Sequence, residues 1–180
     1  MRFEYALDEN DYLTYQLYSA SQSRNIKSAR LRSWVIITVA FLVMGFVGYA
    51  NDYVSMATGF FILSGLSLVL YPLFSRWQYR RHFLKHIREN RKNQLGVTSA
   101  LQFTDEGIEL KDKTGEGKIL KTELEEIIEL QSYFLLKLRS GMSLVIPKNK
   151  IDLPALEGEL QSISANWGVP FIQKLNWKWR

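Results

Sequence analysis

The sequence predicts an α+β membrane protein, in which a two-helix transmembrane hairpin precedes a small antiparallel sheet capped by a C-terminal helix. Residues 33–75 form two uncharged apolar runs that are separated only by Asn51 and Asp52. A stretch rich in lysine and arginine follows, and from Leu95 onward short β-type runs alternate with turns. The expected regions are a cytoplasmic arm (1–32), the hairpin (33–75), a basic juxtamembrane helix (76–96) and a C-terminal domain (97–180).

Composition narrows the chemistry that the chain can perform. The mean hydropathy of -0.13 would suit a soluble protein, but the apolar residues are concentrated in the first half of the 180 residues. Cysteine is absent, which excludes disulfides, zinc–thiolate sites and thiol nucleophiles. The net charge of +5 arises almost entirely within 76–96. Because a nucleic-acid-binding protein would more often spread its basic residues over a domain face, no nucleic-acid partner is expected.

Each apolar run is long enough to cross a bilayer. The runs 33–50 and 53–75 carry no charge, and about 20 helical residues span the hydrocarbon core. The alternative is a pair of helices buried in a soluble core, but soluble helices of this length normally show a polar face. We therefore predict two antiparallel spans that are joined by a tight turn within 48–52.

Charges at the ends of the runs predict the orientation of the hairpin. Basic residues flank both outer ends, at Lys27, Arg30, Arg32, Arg76, Arg80 and Arg81. Asp52 is the only charged residue near the turn, so the positive-inside rule places both chain ends in the cytoplasm of an inner-membrane protein. The acidic start, MRFEYALDEND, differs from a signal peptide. The spans lack ionisable residues, which argues against a pump or transporter.

Small residues in the spans offer places where the two helices could approach closely. Ser55 with Gly59, and Gly45 with Gly48, are the candidate contact positions. The alternative is that small residues are simply common in membrane helices. Pro72 is expected to kink the second helix near its end.

Residues 76–94 are predicted to continue the second helix into the cytoplasm as a basic helix. The candidate anionic-lipid contacts on it are Arg76, Arg80, Arg81, Lys85, Arg88, Arg91 and Lys92. The simpler explanation is that these charges only set topology and solubility. His82 and His86 have a spacing that can bind a metal, but no carboxylate or cysteine completes a set, so neither a metal nor another cofactor is expected.

The arm and the C-terminal domain show β-type patterns. Residues 2–8 alternate as in a strand, and the following helix carries Tyr12, Tyr15 and Tyr18 in a row that is more typical of packed core than of a binding face. Further strands are expected at 99–103, 108–111, 118–122, 133–139 and 142–147, with turns at 104–107, 112–117 and 140–141 and either a strand or a helical turn over 124–130. Asp152 and Pro154 open a helix that runs to about Trp167.

This order of elements suggests a half-barrel of pleckstrin-homology (PH) type, which is a curved antiparallel sheet closed by one helix. Leu153, Leu156, Leu160 and Ile163 line one face of that helix. The arm strand is expected to add to the same sheet. Phe103, Tyr133 and Phe134 are its expected core aromatics.

Four segments then carry a resemblance to a known family: YALDENDYLTYQLY, FTDEGIEL, LEEIIELQSYFLLKL and LVIPKNKI. Together with two spans and a basic helix, they resemble the YcxB-like family of bacterial membrane proteins over most of the chain. The most specific piece is Ile146–Lys148. A tryptophan that is frequent in such proteins is absent, with Thr122 or Glu123 near its place. The resemblance implies a PH-like cytoplasmic domain on a membrane hairpin, without an enzymatic activity or catalytic residues.

The residues themselves supply little for catalysis. Both histidines lie on the basic helix, which leaves the C-terminal domain without a histidine base. The acids Glu123, Glu125, Glu126 and Glu129 are expected to form a solvated face. The DKTGEG segment lacks the phosphate-loop pattern and is expected to be a hairpin turn. The C-terminal tail combines Trp167, Trp177 and Trp179 with Lys174, Lys178 and Arg180, and it suits headgroups, single-stranded nucleic acid or a packed terminal strand.

The expected function is therefore non-enzymatic. The chain would present a PH-like binding module at the cytoplasmic face, for an anionic-lipid or protein partner or for self-association, through a sheet edge or the basic helix. No small-molecule substrate is expected. One alternative is a self-protection (immunity) protein whose hairpin neutralises a toxin in the membrane. A membrane-bound enzyme is a further alternative, disfavoured by the missing nucleophile–base set.

Overall fold

The computed structural model describes residues 2–113 and 115–179. Thr114, in the turn expected over 112–117, and Arg180, in the C-terminal tail, lie outside the described residues. The described residues form strands β1 (Arg2–Ala6), β2 (Thr98–Thr104), β3 (Gly107–Asp112), β4 (Gly115–Leu120), β5 (Leu124–Glu129), β6 (Tyr133–Leu138), β7 (Ser143–Pro147) and β8 (Phe171–Gln173), and helices α1 (Glu9–Gln22), α2 (Arg24–Ala50), α3 (Val54–Asn90) and α4 (Leu153–Trp167). The fold class is thus α+β.

The chain divides into two compact units. The hairpin unit comprises Gln16–Lys85 and Trp179, and the sheet unit comprises residues 2–15 and His86–Lys178. Both α2, with 27 residues, and α3, with 37 residues, are long and apolar enough to cross a membrane. The structure confirms that the second helix continues into the basic segment, because α3 ends only at Asn90.

Local signals explain where α2 and α3 begin and end. The Ser23 hydroxyl accepts a hydrogen bond from the Ile26 amide at 3.4 Å and caps α2. After α2, Asp52 adopts a left-handed conformation with φ of 62°, which a short polar side chain tolerates. The Tyr53 amide then donates to the Gly48 carbonyl at 2.9 Å and closes the turn.

The two helices of the hairpin unit meet along a narrow seam. Gly45 and Gly48, one of the two candidate pairs, are buried there. A Cβ at Gly45 would come within 2.7 Å of the Phe61 ring, so the helices approach where a side chain is missing. The other candidate pair lies outside the seam, as the alternative allowed. Ser55 and Gly59 are exposed, and nothing lies within 4 Å of a Cβ built at Gly59.

Hydroxyl groups continue the seam toward the outer ends of the hairpin. Thr38 Oγ1 and Ser67 Oγ lie 2.9 Å apart, and Ser64 Oγ donates to the Thr38 carbonyl at 3.2 Å. Trp34 Nε1 donates to the Ser67 carbonyl at 3.3 Å. These contacts satisfy polar groups between two apolar helices.

The sheet unit contains two four-stranded sheets where a single curved sheet was expected. Their strand orders are β1-β2-β3-β4 and β7-β6-β5-β8. The short 3₁₀ turn Lys121–Glu123 separates β4 from β5, so the chain leaves the first sheet and begins the second. Strand β8, for which no range was predicted, runs parallel to β5, with Phe171 opposite Ile127.

The pairing of the strands confirms most of the expected strands. β1 pairs antiparallel with β2, with Phe3 opposite Leu101, so the arm strand belongs to the first sheet as predicted. β4 begins at Gly115 rather than at the expected position 118, because 115–117 pair with 110–112 of β3. The ambiguous segment 124–130 forms a strand, β5, through Glu129.

The core of the sheet unit lies between the two sheets and α4. Its buried members are Phe3, Tyr5, Leu101, Phe103, Ile108, Leu124, Ile127, Phe134, Leu136, Leu138, Ile146, Leu156, Leu160, Ile163 and Val169. Asp152 caps α4 by accepting from the Ala155 amide at 3.4 Å, and Gly168 ends it with φ of 64°. Tyr133, expected in the core, is only half-buried because its hydroxyl has a polar partner.

Candidate membrane-contact site

The hairpin unit carries an unusually apolar surface. Among the described residues, every exposed large hydrophobic side chain lies between Leu31 and Trp77, with the exceptions of Leu120, Met142 and Leu175. Only 11% of each helix's most apolar 18-residue window is buried. The alternative of helices buried in a soluble core would require the opposite pattern, since soluble proteins rarely expose large continuous apolar patches.

Four of the seven candidate lipid contacts follow this apolar surface on α3. Arg80, Arg81 and Lys85 are exposed, and the Arg81 guanidinium lies 5.2 Å from the Trp77 ring centroid. Arg76 is half-buried, and its buried Nε has no hydrogen-bond partner among the described residues. These residues therefore place a cluster of positive charge directly after the apolar segment.

The other three candidates belong to the sheet unit, and two of them have partners there. Arg88 forms an ion pair with Glu9 that includes an Nη2–Oε2 hydrogen bond of 3.0 Å. This hydrogen bond holds the pKa of the Glu9 carboxyl below its ordinary value. Arg91 lies over the Tyr12 ring at 5.8 Å and donates to Gln94 at 2.5 Å. The third, Lys92, is exposed.

Arg30, which was expected only to set the topology, is held at the base of the hairpin. Arg30 donates from Nε to the Ser75 hydroxyl at 3.1 Å. Its guanidinium lies 4.9 Å from the Trp179 ring and 5.7 Å from the Tyr79 ring. The tail tryptophan is thus a stacking partner within the hairpin unit. In the sequence, the only indication of the contact between Arg30 and Trp179 is the combination of basic and aromatic residues in the C-terminal tail.

A polar network joins β1 and α1 to the second sheet. Its members are Asp8, Asp11, Tyr133 and Lys150, which we call the arm network. Asp8 accepts from the Asp11 amide at 3.0 Å, and Asp11 accepts from the Asp8 amide at 2.7 Å, which is a reciprocal capping box at the start of α1.

Lys150 ties that cap to the rest of the sheet unit. Its ammonium donates to Asp11 at 2.6 Å, to Asp8 at 2.8 Å and to the Ala6 carbonyl at 3.1 Å. The Tyr133 hydroxyl donates to the other oxygen of Asp11 at 3.0 Å. The side chain of Asp11 is only 4% exposed, so its charge needs these donors.

The network perturbs the acid–base equilibria of its members. The hydrogen bond from Lys150 lowers the pKa of Asp8 against the opposing effect of burial. Burial lowers the pKa of Lys150, but its hydrogen bonds with Asp11 and Asp8 outweigh burial, and the pKa is raised. Burial also raises the pKa of Tyr133. The charged carboxylate–ammonium form is therefore the stable one at neutral pH.

A second buried ion pair contradicts the expectation of a solvated acidic face. Lys148 donates to Glu129 at 2.5 Å, and both side chains are almost wholly buried. Gln173 donates to the second oxygen of Glu129 at 2.8 Å. The expectation failed because the partners of Glu129 lie on β8 and after β7, far from it in sequence. Glu123 and Glu125 are exposed as expected.

The remaining motifs have structural explanations. His82 and His86 are exposed, and within 2–113 and 115–179 no three His, Cys, Asp or Glu side chains converge as metal ligands would. Asp112 accepts from the Gly115 amide at 3.0 Å, which is a turn contact between β3 and β4.

Comparison of the chain with family models, with curated proteins and with solved structures finds no match.

Proposed function

We propose that the chain is an integral inner-membrane protein that presents a non-enzymatic, PH-like binding module at the cytoplasmic face. Its partner is the anionic surface of the same membrane, through the basic residues that follow the second span. The observation that carries this proposal is an uncharged helical hairpin that is exposed along most of its length and is followed at once by exposed arginine and lysine.

Physical chemistry supports the membrane part of the proposal. The exposed apolar residues between Leu31 and Trp77 would be strongly unfavourable in water, at about 25 cal/mol for each Å². A bilayer removes that cost, and all backbone groups of the helices are satisfied internally. Basic flanks at both outer ends of the hairpin favour a cytoplasmic location for both chain ends.

The sheet unit supports the PH-like part of the proposal. Two antiparallel-rich sheets enclose one core, and a C-terminal helix covers it. Membership of the YcxB-like family remains part of the proposal.

The distance of each basic residue from the apolar segment indicates how much it contributes to lipid contact. Arg76–Lys85 occupy the first turns after the apolar segment, within about 15 Å of Ser75 along the helix axis. A lysine or arginine near an anionic surface contributes about 1 kcal/mol. The charge of Arg88 is already paired with Glu9, so we expect a smaller contribution from it.

The test uses the full chain, because β1 of the arm is part of the first sheet. The protein is reconstituted in bilayers that contain a spin-labelled anionic or zwitterionic lipid, and the motion-restricted fraction of each lipid is measured at two salt concentrations. We expect a preference for the anionic lipid that falls with salt. The double variant Arg80→Gln with Lys85→Gln should lower this preference, whereas Lys121→Gln, at an exposed lysine of the sheet unit, should leave it unchanged. Equal restriction of both lipids by the wild type would refute lipid contact.

One observation favours a second candidate function. Ser55 and Gly59 face outward on α3, which leaves a small-residue surface for another membrane helix. A hairpin that neutralises a membrane toxin would use such a surface. Gly59→Leu should then abolish protection of cells against the toxin while Gly65→Leu, at another exposed glycine, preserves it.

A further inference from the structure

A cavity lies beside the core of the sheet unit, and we call it the core cavity. Its volume is about 400 Å³, which lies within the range of about 300–1,000 Å³ that is typical of small-molecule sites. The four strands of the first sheet, β7 of the second sheet, α1 and the segment 91–97 all contribute to its lining. These residues belong to the sheet unit, so the cavity is complete within one compact unit.

Much of the lining is apolar. Leu7, Leu110 and Leu144 are half-buried, pack against the buried core and line the cavity. Val97 and the aromatic residue Tyr12 extend this wall. Water next to such a wall makes few hydrogen bonds, so an apolar ligand that displaces it gains affinity.

Two hydroxyl-bearing residues lie side by side in the lining. Tyr5 of β1 is opposite Ser99 of β2 in the antiparallel register, and opposite residues have side chains on the same face with Cβ atoms about 5 Å apart. Both residues line the core cavity. Neither hydroxyl forms a hydrogen bond with any of the described residues. The polar side of the cavity is thus at β1 and β2.

The Tyr5 hydroxyl is open to the cavity although the residue as a whole is buried. Tyr5 is only 4% exposed. In the part of the chain that the structure describes, the side-chain polar atoms that are both sealed from solvent and without a partner are Arg76 Nε and Trp179 Nε1. The Tyr5 hydroxyl is not one of them, so it keeps accessible surface, and the space beside Tyr5 is the cavity. Buried polar groups normally have a partner, and a ligand in the cavity would supply one.

Burial also fixes the protonation state of this hydroxyl. It raises the pKa of Tyr5, and the neighbouring Tyr12 adds to the rise. Tyr5 is therefore a neutral phenol at physiological pH, and its O–H group can donate a hydrogen bond. An oxygen acceptor such as a carbonyl group matches such a donor.

The charges in the lining favour an uncharged ligand. Two basic residues, Arg91 and Lys111, are balanced by two acidic residues, Asp112 and Glu116. Lys111 and Glu116 form an ion pair with each other, and Arg91 donates to Gln94. An ionic ligand would have to compete with these partners, whereas a neutral ligand would leave them in place.

We propose that the core cavity binds a small uncharged molecule that has an apolar body and a carbonyl oxygen. The Tyr5 hydroxyl donates a hydrogen bond to that oxygen, Ser99 lies beside the polar end of the ligand, and the apolar body packs against the leucines of the lining. The inference goes beyond the proposed function, because it assigns a small-molecule site to the sheet unit and requires no contact with lipid.

Methyl NMR of the full chain in detergent micelles tests the site. The methyl groups of Leu7, Val97, Leu110 and Leu144 report occupation of the cavity, whereas methyl groups of α2 and α3 report partition of a probe into the micelle. The probes are acetophenone, ethylbenzene, which lacks the carbonyl oxygen, and benzoate, which carries a charge. We expect saturable shifts of the four cavity residues with acetophenone, and binding of ethylbenzene that is about fivefold weaker because one hydrogen bond is lost.

Two pairs of variants locate the bound probe. Tyr5→Phe removes only the hydroxyl and should weaken acetophenone about fivefold without changing ethylbenzene. The matched control Tyr15→Phe, at a half-buried tyrosine of α1 outside the lining, should bind both probes as the wild type does. Ser99→Leu fills the cavity and should abolish the binding of both probes. Its control Thr98→Leu places the same side chain on the exposed face of β2 and should leave binding unchanged.

Several outcomes would overturn the proposal. These are the absence of saturable shifts with acetophenone, equal affinity of the wild type for acetophenone and ethylbenzene, and equal behaviour of Tyr5→Phe and Tyr15→Phe. Binding of benzoate as strong as that of acetophenone would identify an anion site and would overturn it too. None of these results bears on lipid preference in bilayers, so the proposed function stands or fails on its own measurement.

Discussion

The sharpest structural prediction concerns Lys150, which joins the arm to the second sheet. Lys150→Met keeps the length and apolar stem of the side chain but removes its ammonium. Asp11 would then be left with a buried negative charge and only the Tyr133 hydroxyl as a side-chain donor. Breaking one side of a buried ion pair costs about 3–5 kcal/mol, and the partial exposure of Lys150 points to about 3 kcal/mol.

The expected effect is a local opening of β1 and the start of α1. Hydrogen exchange of the amides of residues 2–8, measured by mass spectrometry on the full chain in detergent, reports this opening. A loss of about 3 kcal/mol corresponds to exchange that is roughly 100-fold faster. Lys178→Met, at an exposed lysine of the same unit, is the control. The double variant Lys150→Met with Asp11→Asn should recover part of the loss, because the buried charge is gone.

The same network predicts a pH dependence at both extremes. The pKa of Asp8 is lowered on folding. Its contribution to stability is therefore complete above about pH 4, the ordinary pKa of an aspartate, and disappears as the pH falls through the lowered pKa. The pKa of Lys150 is raised, so its contribution to stability is complete below the ordinary pKa of 10.5 and disappears as the pH rises through the raised pKa.

If hydrogen exchange of the amides of residues 2–8 is unchanged in Lys150→Met, the assigned role of the arm network is refuted.

Further substitutions test the packing of both units. Gly107→Ala should destabilise the sheet unit by about 2 kcal/mol or more, since its Cβ would clash with the Ile119 carbonyl oxygen, and chemical unfolding measures this loss. Gly45→Leu should lower the thermal stability of the hairpin in detergent, because the seam has no room for the side chain. Lys148→Met should destabilise the sheet unit by about 3 kcal/mol, because Glu129 loses its buried partner; unfolding at the same denaturant concentration as wild type would contradict this.

Local signals in the sequence were sufficient to predict most elements. Hydrophobic length located α2 and α3, and the alternating arm predicted β1. Asp152 and Pro154 marked the start of α4 correctly. These predictions succeeded because each depends on neighbouring residues: a capping side chain, a fixed proline φ or a run of apolar residues.

Long-range pairing was beyond the reach of such signals. The structure has two sheets where one was expected, because the 3₁₀ turn before β5 redirects the chain. No sequence signal within the short segment Lys121–Glu123 predicts this turn. Glu129 looked like one acid among several, since its partner Lys148 is 19 residues away. The hydroxyl seam was also missed, because serine in an apolar run does not indicate which face it occupies.

The same difference between local signals and long-range pairing applies to the candidate site. All seven basic residues were located on or just after α3 by local pattern, but the pairing of Arg88 with Glu9 spans 79 residues. Arg30 was assigned to topology alone, since its contacts with Ser75 and Trp179 depend on the folded hairpin. The sequence therefore predicted where positive charge accumulates, but not which charges already have partners in the fold.

The proposed topology places the turn between α2 and α3 outside the cell and both chain ends in the cytoplasm, and the absence of cysteine from the chain makes a direct test possible. Single cysteines are introduced at Asn51, in the turn between α2 and α3, and at Gln161, on the exposed face of α4. Cells that express each variant are treated with a membrane-impermeant maleimide before and after membrane disruption. If both chain ends lie in the cytoplasm, Asn51→Cys is labelled in intact cells and Gln161→Cys is labelled only after disruption. Labelling of Gln161→Cys in intact cells, or recovery of the chain in the soluble fraction, would contradict it.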